Sequence, residues 1–354
     1  MRIHYDNIVF SLQRAGGIST YWAELITRLQ RDQIDVTFEE FKHQNIVRNT
    51  FLINESALRT RGSRYLLVER FKALKLPEQN LPFVFHSSYN RITNNRNAAQ
   101  VTTVHDFVHE KFYKGIRRSL HLMQKGKVLR AAKQIITVSE NTKRDLMHFH
   151  PAIPETNIRV IYNGVSEDFY PLDEIQKVAL SEAGKRPYLL YIGSREHYKN
   201  FKFTVDLLKE VADFDLYIIG SALLRTESQY LMQQVPGRWK HFDHINNQRL
   251  NELYNSAYGL IYPSLYEGFG IPLLEAMKAG VPFLALNNSA IPEVAGDAGI
   301  LLEHADIDLF KDALHNLSSN RFGLIERGYV QAAKFSWEKC YQETLSVYKE
   351  LANQ

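Results

Sequence analysis

Residues 262–280 read YPSLYEGFGIPLLEAMKAG, and this stretch decides how the whole chain is interpreted. It continues an apolar run at residues 259–262 that is typical of a buried strand. Pro272 suits the first turn of a helix, so the segment before it is a turn between strand and helix. Gly268 and Gly270 let the backbone of that turn approach a ligand closely. The stretch therefore predicts a ligand-binding turn.

Two glutamates flank this turn. The unpaired N–H groups of Phe269, Gly270 and Ile271 would form an anion site at the start of the helix. Glu267 precedes the turn and we expect Glu275 on the first helical turn, where carboxylates can accept hydrogen bonds from a ribose diol or a sugar. The alternative is that Glu267 caps the helix and Glu275 complements its dipole. Two carboxylates around one glycine turn favour a site for a diphosphate-linked sugar.

Short apolar runs alternate with longer amphipathic segments, which predicts parallel sheets flanked by helices. The predicted strands cover residues 3–10, 83–86, 100–105, 134–138, 188–192, 216–219, 259–262, 282–285 and 300–302. The predicted helices cover residues 19–31, 116–133, 203–212, 247–256 and 272–279. The alternation restarts after a turn-like stretch at residues 163–171. We therefore predict an α/β protein of two doubly wound, Rossmann-like domains, residues 1–165 and 166–335, with ligands outside the carboxyl ends of the strands.

The composition is that of an ordinary globular protein, with 354 residues, 45% hydrophobic and 23% charged. This length fits two domains. No stretch reaches the roughly eighteen apolar residues of a membrane span, and the segment after Met1 lacks the apolar run of a signal peptide. A single cysteine, Cys340, excludes an internal disulfide and a multi-cysteine metal site. Together these features predict a cytoplasmic protein.

The net charge of +4 is unevenly divided. Residues 1–165 carry 25 Lys and Arg against 14 Asp and Glu, a charge of +11, whereas the remainder carries −7. A basic half could attract phosphate-bearing partners, nucleic acid or an anionic membrane surface. A solvated basic face on long helices explains the same excess, and both interpretations stay open at this point.

The glutamate-flanked turn resembles the double-glutamate signature of retaining glycosyltransferases of family 4, which have the GT-B fold. Further motifs extend the likeness over nearly the whole chain, and their order and spacing are specific although each alone is weak. They are AGGI at residues 15–18, VHD at 104–106, ITVSE at 136–140, VIYNGV at 160–165, YIG at 191–193, KN at 199–200, IPEVAG at 291–296 and FSW at 335–337.

The resemblance implies a GT-B architecture of two Rossmann-like domains facing a cleft, with residues 336–354 as a helix that packs back on the first domain. It implies net retention in the transfer of a hexose, with mannose as one candidate, from a nucleotide sugar such as GDP-mannose or a UDP-sugar. The acceptor would be a glycan or lipid-linked oligosaccharide in surface polysaccharide or lipopolysaccharide synthesis. The protein would then be peripheral on the inner face of the cell membrane.

Two other hypotheses compete with a transferase. A sugar-nucleotide epimerase, or another non-transferase nucleotide-sugar enzyme, would keep the fold and change the reaction. A nucleic-acid binder would use the basic half, but the intact double-glutamate site opposes it, so nucleic acid is not expected as a partner.

In the family, a basic pair after the first strand of the second domain contacts the donor diphosphate. Lys199 matches the expected lysine, whereas Ser194 stands where an arginine would directly follow Gly193, and Arg195 comes one place later. Gly193, Arg195 and Lys199 are therefore predicted donor contacts. These cations and the oriented N–H groups would stabilise charge on the leaving diphosphate without a metal or other cofactor. Lys199 and Glu267 are expected to be catalytic.

In the first domain the resemblance points to residues just after strands. His105 would approach the donor sugar as a catalytic group, and a half-buried structural histidine is the alternative. Asp106 would either orient the acceptor or cap the next segment. Gly16 and Gly17 would hold phosphate or acceptor at the start of the following helix, or form a tight turn.

Asp213 and Asp215 resemble the paired aspartates that hold manganese in the other large glycosyltransferase fold. They precede the predicted strand at residues 216–219, so they lie at the wrong edge of the sheet for a ligand. We therefore predict no metal site.

Overall fold

The computed structural model describes residues 1–62, 66–77, 81–176 and 186–353. The chain divides into two compact units, the first made of Met1–Asn163 with Trp337–Gln354 and the second of Gly164–Ser336. The division falls two residues before the predicted boundary at residue 165. Within the described residues, no helix has the length and apolar character that crossing a membrane requires.

The first unit contains a parallel sheet of seven strands. They are β1 (Ile3–Asp6), β2 (Val36–Phe41), β3 (Leu58–Arg61), β4 (Phe83–Ser87), β5 (Ala98–Val104), β6 (Gln134–Thr137) and β7 (Ile158–Val160). Their order across the sheet is β3-β2-β1-β4-β5-β6-β7, so the direction of winding reverses between β1 and β4. These two central strands are buried at every residue, as expected for strands covered on both faces.

Helices accompany this sheet. They are α1 (Val9–Leu12), α2 (Gly17–Arg31), α3 (Leu66–Glu69), α4 (Val108–Phe112), α5 (Gly115–Ala131) and α6 (Glu140–Phe149), with 3₁₀ turns at Arg48–Thr50, Glu55–Ala57 and Glu155–Asn157. In α2, large apolar residues recur at helical spacing and form one buried face: Tyr21, Trp22, Leu25, Ile26 and Leu29. Ser139 begins α6, because its Oγ accepts a hydrogen bond from the N–H of Thr142 at 2.9 Å.

The second unit contains a parallel sheet of six strands. They are β8 (Tyr188–Ile192), β9 (Asp215–Ile219), β10 (Trp239–Phe242), β11 (Gly259–Tyr262), β12 (Phe283–Leu286) and β13 (Ile300–Leu302). The helices are α7 (Phe201–Glu210), α8 (Arg225–Gln234), α9 (Asn247–Asn255), α10 (Ile271–Lys278), α11 (Ile291–Ala295) and α12 (Ile307–Ala332), with a 3₁₀ turn at His197–Lys199. One apolar core joins α7 and α12 to the sheet through residues such as Leu207, Leu216 and Phe310.

The strand order in this sheet is β10-β9-β8-β11-β12-β13, so winding reverses between β8 and β11. In open α/β sheets such a reversal leaves a crevice outside the carboxyl ends of the two central strands, where ligands bind. The loop after β8 carries Gly193 and Lys199, and the loop after β11 carries Glu267. The topology therefore places these predicted site residues at the crevice of the second unit.

The last helix, α13 (Trp337–Ala352), packs against α2 and β4 of the first unit. The hydroxyl of its Tyr348 lies 2.7 Å from the hydroxyl of Tyr5 and 2.6 Å from Nδ1 of His86 in the buried interior. Near its start, Glu338 forms ion pairs with Arg28 and Arg31 of α2. Buried and exposed contacts together fix the end of the chain to the first unit.

The structure departs from the predicted elements in several places. The strand predicted at residues 3–10 ends at Asp6, because Val9 and Phe10 belong to α1. Sequence reasoning missed β2, β3, β7 and β10, whose sequences VTFEEF, LRTR, IRV and WKHF mix charged with apolar residues. It also missed the long helix α12.

We expect Tyr348→Phe to lower the free energy of unfolding by about 1–3 kcal/mol, because it leaves buried polar groups without their partner. Those groups are the hydroxyl of Tyr5 and Nδ1 of His86. Urea denaturation measures the change. Tyr170→Phe, which removes a hydroxyl from a half-exposed ring, is the control and should unfold like the wild type. A Tyr348→Phe protein as stable as the control would contradict this network.

Candidate active site

The loops that follow β8 and β11 are joined by a backbone hydrogen bond. The N–H of Leu265 donates to the carbonyl of Tyr198 at 2.7 Å. The loop after β8 makes its 3₁₀ turn at His197–Lys199 and then passes through Asn200, whose φ of 54° lies in the left-handed region that asparagine tolerates. This turn leads directly into α7 and fixes the backbone of Lys199 at the crevice.

Lys199 and Glu267 form a largely buried ion pair at this crevice. Nζ of Lys199 donates to both carboxylate oxygens of Glu267, at 2.7 and 2.9 Å. The rings of Tyr198 and Tyr262 have their centroids 5.6 and 5.5 Å from the ammonium. The backbone N–H of Glu267 donates to Oγ of Ser289 at 2.9 Å, which holds the loop behind the carboxylate. Each charge neutralises the other in a place that excludes most water.

Two glycines make room for this pair. Gly193 has a φ of 133°, and a Cβ there would lie 3.9 Å from Cε of Lys199, whose side chain passes over it. Gly220 follows β9 with a φ of 153°, and a Cβ there would lie 2.5 Å from the carbonyl oxygen of Gly193. The positive φ favours glycine at both positions, and at Gly220 the close approach of the two loops also leaves no room for a side chain.

The glycine turn leads from the ion pair into α10. Gly270 is the N-cap residue, with a φ of 109°. The N–H of Leu273 donates to the carbonyl of Gly270 at 3.0 Å, and Pro272 has no N–H to offer. The N–H groups of Gly270 and Ile271 have no acceptor within the described parts of the chain. These two groups at the positive end of the helix are available to an anion.

The structure decides against the interpretation of Glu267 as a helix cap. No side chain caps α10, and the carboxylate of Glu267 bonds to Lys199 instead. Phe269 turns its ring inward and packs edge-on against Phe335, with centroids 5.8 Å apart. Only its backbone can therefore serve the predicted donor site.

Glu275 lies on the second turn of α10, and the prediction that it lies on the first turn is wrong. The helix begins at Ile271, so Glu275 is its fifth residue. Its Oε2 accepts a hydrogen bond from the hydroxyl of Tyr254 at 2.8 Å. Burial raises the pKa of Glu275 to about 7, although the hydrogen bond from Tyr254 lowers it in part. Glu275 therefore changes its protonation state near neutral pH.

Arg195 occupies a different place from Lys199. Its Nε donates to Glu227 at 2.8 Å, and its Nη2 donates to the carbonyls of Ser221 and Ala222 at 2.9 and 2.8 Å. The buried guanidinium thus holds the loop after β9 to the start of α8. Nη1 is buried without a partner among the residues that the structure describes. A diphosphate contact by Arg195 stays a prediction, and Nη1 is the atom that would make it.

Gly16 and Gly17 lie at the start of α2, with Gly16 as the N-cap residue at a φ of 150°. The positive φ favours glycine at this N-cap, whereas Oε1 of Gln13, 3.0 Å from where a Cβ would lie, is the end of a flexible side chain that can move. Nδ2 of Asn45 donates to the carbonyl of Gln13 at 2.8 Å and to Oγ of Ser19 at 2.7 Å. These contacts form a fixed tight turn, and a role in ligand binding stays a prediction.

His105 follows β5, and its ring packs edge-on against Tyr21 with centroids 4.9 Å apart. Burial lowers the pKa of His105 to about 4; the charge of Asp106 raises it and that of Lys125 lowers it further. The imidazole is therefore neutral at neutral pH, and its Nε2 has no partner in the described part of the chain. Oδ1 of Asp106 accepts a hydrogen bond from the N–H of Val108 at 3.1 Å, which fixes the turn before α4, whose N-cap residue is Phe107.

No three His, Cys, Asp or Glu side chains of the described residues converge as they would around a metal ion. Asp215 is the first residue of β9, and Asp213 lies in the turn before it. Both aspartates thus lie at the amino edge of the second sheet, away from the crevice at its carboxyl edge.

The second unit brings Lys199 and Glu267 into contact, with Gly193 beneath the side chain of Lys199. Glu275 bonds instead to Tyr254, and its own contact with the donor stays a prediction. The remaining predicted residues, Gly16, Gly17, His105 and Asp106, belong to the first unit.

Two family profiles match the two parts of the chain. The one described as Glycosyltransferase Family 4 matches residues 15–169, and the one described as Glycosyl transferases group 1 matches residues 173–334. O-antigen chain mannosyltransferase B of Escherichia coli is 31% identical over 294 residues, which cover 76% of this chain and 74% of that protein. The chain belongs to glycosyltransferase family 4.

Solved structures resemble this glycosyltransferase over its whole length. Sucrose-phosphate synthase from Thermosynechococcus elongatus matches with a TM-score of 0.79 over 99% of both chains, at 17% identity. HepE of Anabaena, in complex with UDP and glucose, matches with a TM-score of 0.76 over 98% of this chain and 99% of that chain, at 13% identity. The predicted GT-B fold is confirmed.

The site of this glycosyltransferase also depends on residues that sequence reasoning missed. Tyr254 bonds to Glu275 from α9, and Ser289 supports Glu267 from the loop after β12. Gly220 had a signal in the sequence, because it directly follows a predicted strand. Tyr254 had none, since its role depends on the contact between two helices.

We expect Glu275→Gln to stabilise the glycosyltransferase at about pH 8 and to have little effect at about pH 4. The pKa of about 7 in the folded state exceeds the ordinary value of 4.5, so the protonated carboxyl is favoured by folding. That stability is complete below the lower value and is lost as the pH rises through the higher one. Above it the buried carboxylate lowers the free energy of unfolding by on the order of 1–3 kcal/mol, and a glutamine does not.

Melting temperatures across this pH range measure the effect. Glu326→Gln, at an exposed position on α12, is the matched control and should follow the wild type at every pH. If Glu275→Gln followed it too, the carboxyl of Glu275 would titrate as it does in water.

Proposed function

We propose that this glycosyltransferase moves a hexose, with mannose as the first sugar to test, from a nucleoside-diphosphate sugar to a hydroxyl of a glycan or lipid-linked oligosaccharide in surface polysaccharide synthesis. The Lys199–Glu267 pair at the strand reversal of the second sheet carries the proposal. The relative named O-antigen chain mannosyltransferase B supports mannose and a surface polysaccharide. The HepE structure, which contains UDP and glucose, supports a nucleotide-sugar donor such as a UDP-sugar or GDP-mannose.

The diphosphate of the donor would bind at Lys199 and at the N–H groups of Gly270 and Ile271. As the bond to the anomeric carbon breaks, negative charge accumulates on the leaving diphosphate. A fixed ammonium and oriented N–H donors stabilise that charge more strongly in the transition state than in the bound donor. Because Lys199 supplies the cation, the proposed step needs no metal and no other cofactor.

The two glutamates would recognise different parts of the donor. Ionised Glu275 can accept hydrogen bonds from both hydroxyls of the ribose. Once the diphosphate binds the ammonium of Lys199, Glu267 is free to accept from hydroxyls of the transferred sugar. Its negative charge would also favour the positive charge that develops on the sugar ring in the transition state.

We propose that the transfer retains the anomeric configuration. The acceptor oxygen would bond to the anomeric carbon on the face from which the diphosphate leaves, and the acceptor proton would pass to a diphosphate oxygen. His105, neutral and with a free Nε2, would bind a sugar hydroxyl, and Asp106 would orient the acceptor.

Removing each glutamate tests these roles. Glu275→Gln should weaken the binding of nucleoside diphosphate and of donor alike by roughly 1.5–3 kcal/mol, because the ribose is common to both. Glu267→Gln should bind nucleoside diphosphate at least as tightly as the wild type, because the diphosphate no longer displaces a carboxylate from Lys199. It should lower kcat, because the contacts of Glu267 with the transferred sugar are strongest in the transition state. Calorimetry with GDP and UDP and steady-state kinetics, both in excess EDTA, measure these effects.

Identical behaviour of the two variants in both assays would contradict the division of roles, and full activity of both would contradict the donor site. Activity lost in EDTA and restored by manganese would contradict the metal-free step. Conversion of one sugar nucleotide into another without transfer to an acceptor would favour the epimerase hypothesis.

Helix α5 supports a peripheral position on the cytoplasmic face of the cell membrane. Ile116, Leu120 and Met123 are 79%, 43% and 63% exposed and recur at helical spacing. Exposed Lys127 and Arg130 continue the same stripe toward the end of the helix. Helices that lie on membranes typically carry apolar side chains that enter the lipid–water interface and cations that attract anionic lipid. We include this surface in the proposal.

We expect Ile116→Ser/Leu120→Ser/Met123→Ser to weaken binding to phosphatidylglycerol vesicles by about tenfold or more, because three apolar side chains no longer enter the interface. Sedimentation with vesicles measures the bound fraction, which should also fall as salt screens the lysines and arginines. Phe322→Ser/Val330→Ser on α12 is the matched control, since these side chains are 74% and 66% exposed. The membrane assignment would be overturned if the wild type did not bind acidic vesicles, or if both variants lost the same fraction of vesicle binding.

A further inference from the structure

A pocket of about 770 Å³ lies in the first unit, apart from the residues assigned to the donor. Its walls come from the ends of β2 and β3, the segment after α3, the loop after β4, and α5. Five of its lining residues are basic: Arg61, Lys72, Lys75, Arg91 and Lys127. The strand ends place it at the carboxyl edge of the sheet, where open α/β sheets bind ligands.

Arg91 is the buried charge of this pocket. Its Nη1 donates to Oδ1 of Asp6 at 3.1 Å, and its Nε donates to the carbonyl of Lys72 at 3.2 Å. The ring of Phe41 lies 5.6 Å from the guanidinium carbon. Nη2 has no hydrogen-bond partner in the ranges that the structure describes. One edge of a fixed guanidinium therefore stays available to a ligand.

The walls of the pocket are held in place by hydrogen bonds. Buried Gln124 of α5 donates to the carbonyls of Arg70 and Asn90, at 2.5 and 2.9 Å. The N–H of Leu74 donates to the carbonyl of Ile92 at 2.7 Å. These bonds tie the segment after α3 and the loop after β4 to each other and to α5. A ligand would thus meet a largely pre-formed site.

The charge balance of the pocket favours an anion. The cations with carboxylate partners are Arg61 with Glu39, Lys72 with Glu69, and Arg91 with Asp6. Lys75 and Lys127 are exposed, and their ammonium groups have no carboxylate partner among the described residues, although the backbone carbonyl of Lys75 accepts from Arg61. Two uncompensated ammonium groups and one free guanidinium edge match the charge and the acceptor oxygens of a phosphate or diphosphate group.

We propose that this pocket binds a phosphate or diphosphate group carried by the acceptor. The inference rests on the proposed function, since an acceptor exists only if the enzyme transfers a sugar. Lys127 belongs both to the pocket and to the exposed stripe of α5. An amphiphile whose chain lies in the membrane beneath Ile116, Leu120 and Met123 would therefore present its phosphate close to this pocket. A phosphorylated glycan in solution carries the same group.

Calorimetry with geranyl diphosphate tests the site, using the full-length protein. We expect Lys75→Gln/Lys127→Gln to bind it about tenfold or more weakly than the wild type, because two charge-assisted contacts are lost. Lys202→Gln/Lys209→Gln, which removes two exposed lysines from α7 of the second unit, is the matched control and should bind like the wild type. Melting temperatures verify that all variants fold.

A parallel variant, Lys199→Gln, separates this pocket from the donor site. It should keep its affinity for geranyl diphosphate and lose affinity for nucleoside diphosphate. Lys75→Gln/Lys127→Gln should lose affinity for geranyl diphosphate and keep its affinity for nucleoside diphosphate. If Lys199→Gln kept its nucleoside diphosphate affinity, the donor site would be contradicted and the pocket would not. If geranyl diphosphate failed to bind the wild type, or lost affinity only in Lys199→Gln or equally in the α7 control, the pocket proposal would be overturned.

Inorganic diphosphate and geraniol identify the source of the phosphate. Tighter binding of geranyl diphosphate than of inorganic diphosphate, with no binding of geraniol, supports a lipid headgroup. Equal affinity for the two diphosphates supports a phosphate on a soluble acceptor. Binding of geraniol that the two lysine substitutions leave unchanged would contradict an anion site.

Discussion

The reversal of strand order is the constraint on which both units depend. All strands of each sheet are parallel, so every loop that leaves a strand at its carboxyl end emerges at the same edge. The winding reverses between β1 and β4 in the first sheet and between β8 and β11 in the second. Each reversal is bridged by an ion pair, Arg91 with Asp6 in the first unit and Lys199 with Glu267 in the second. The same topology therefore places one charged centre in each unit.

Buried pairs of this kind are weak sources of stability, because removing two charges from water offsets most of their attraction. Their surroundings make them tolerable. Asp6 also accepts a hydrogen bond from Oγ of Ser87 at 2.9 Å, and burial still raises its pKa, against the charge of Arg91. Both oxygens of the Glu267 carboxylate accept hydrogen bonds from the ammonium of Lys199. Such pairs hold charged groups in a fixed geometry. A binding site requires this geometry, whereas a hydrophobic core is stable without it.

The sequence predicted the elements whose pattern is local. The runs at residues 188–192, 259–262 and 300–302 became β8, β11 and β13 with the same bounds, because each is an uninterrupted apolar run. β8 and β11 are central strands, whereas β13 is a partly buried edge strand. The strand predicted at residues 3–10 was too long, because the apolar run at residues 8–10 follows β1 after only Asp6 and Asn7 but belongs to the start of α1. Edge strand β3 was missed because its residues LRTR carry no apolar run.

The candidate site was predictable to the extent that its groups lie in motifs. The glycine turn, Lys199 and Glu267 stand in recognisable stretches, and the topology brings them together. Arg195 shows the limit, because its partner Glu227 is 32 residues away and nothing local indicates that they meet. The second-turn position of Glu275 depends on which residue caps α10, and one residue in that assignment moves a side chain by about 100° around the helix.

The ion pair also gives the proposed donor site an order of events. In the free enzyme both oxygens of Glu267 accept hydrogen bonds from the ammonium of Lys199, so a sugar hydroxyl that needs the same acceptor positions competes with that ammonium. A diphosphate that bound Lys199 would replace the carboxylate as the partner of the ammonium and release Glu267 beside the transferred sugar. A sugar without its diphosphate would instead have to break a largely buried pair and leave the ammonium uncompensated, which is strongly unfavourable. The proposed contact of Glu267 with the sugar would therefore be coupled to the presence of the leaving group, and this coupling would direct the enzyme to the intact donor rather than to free hexose.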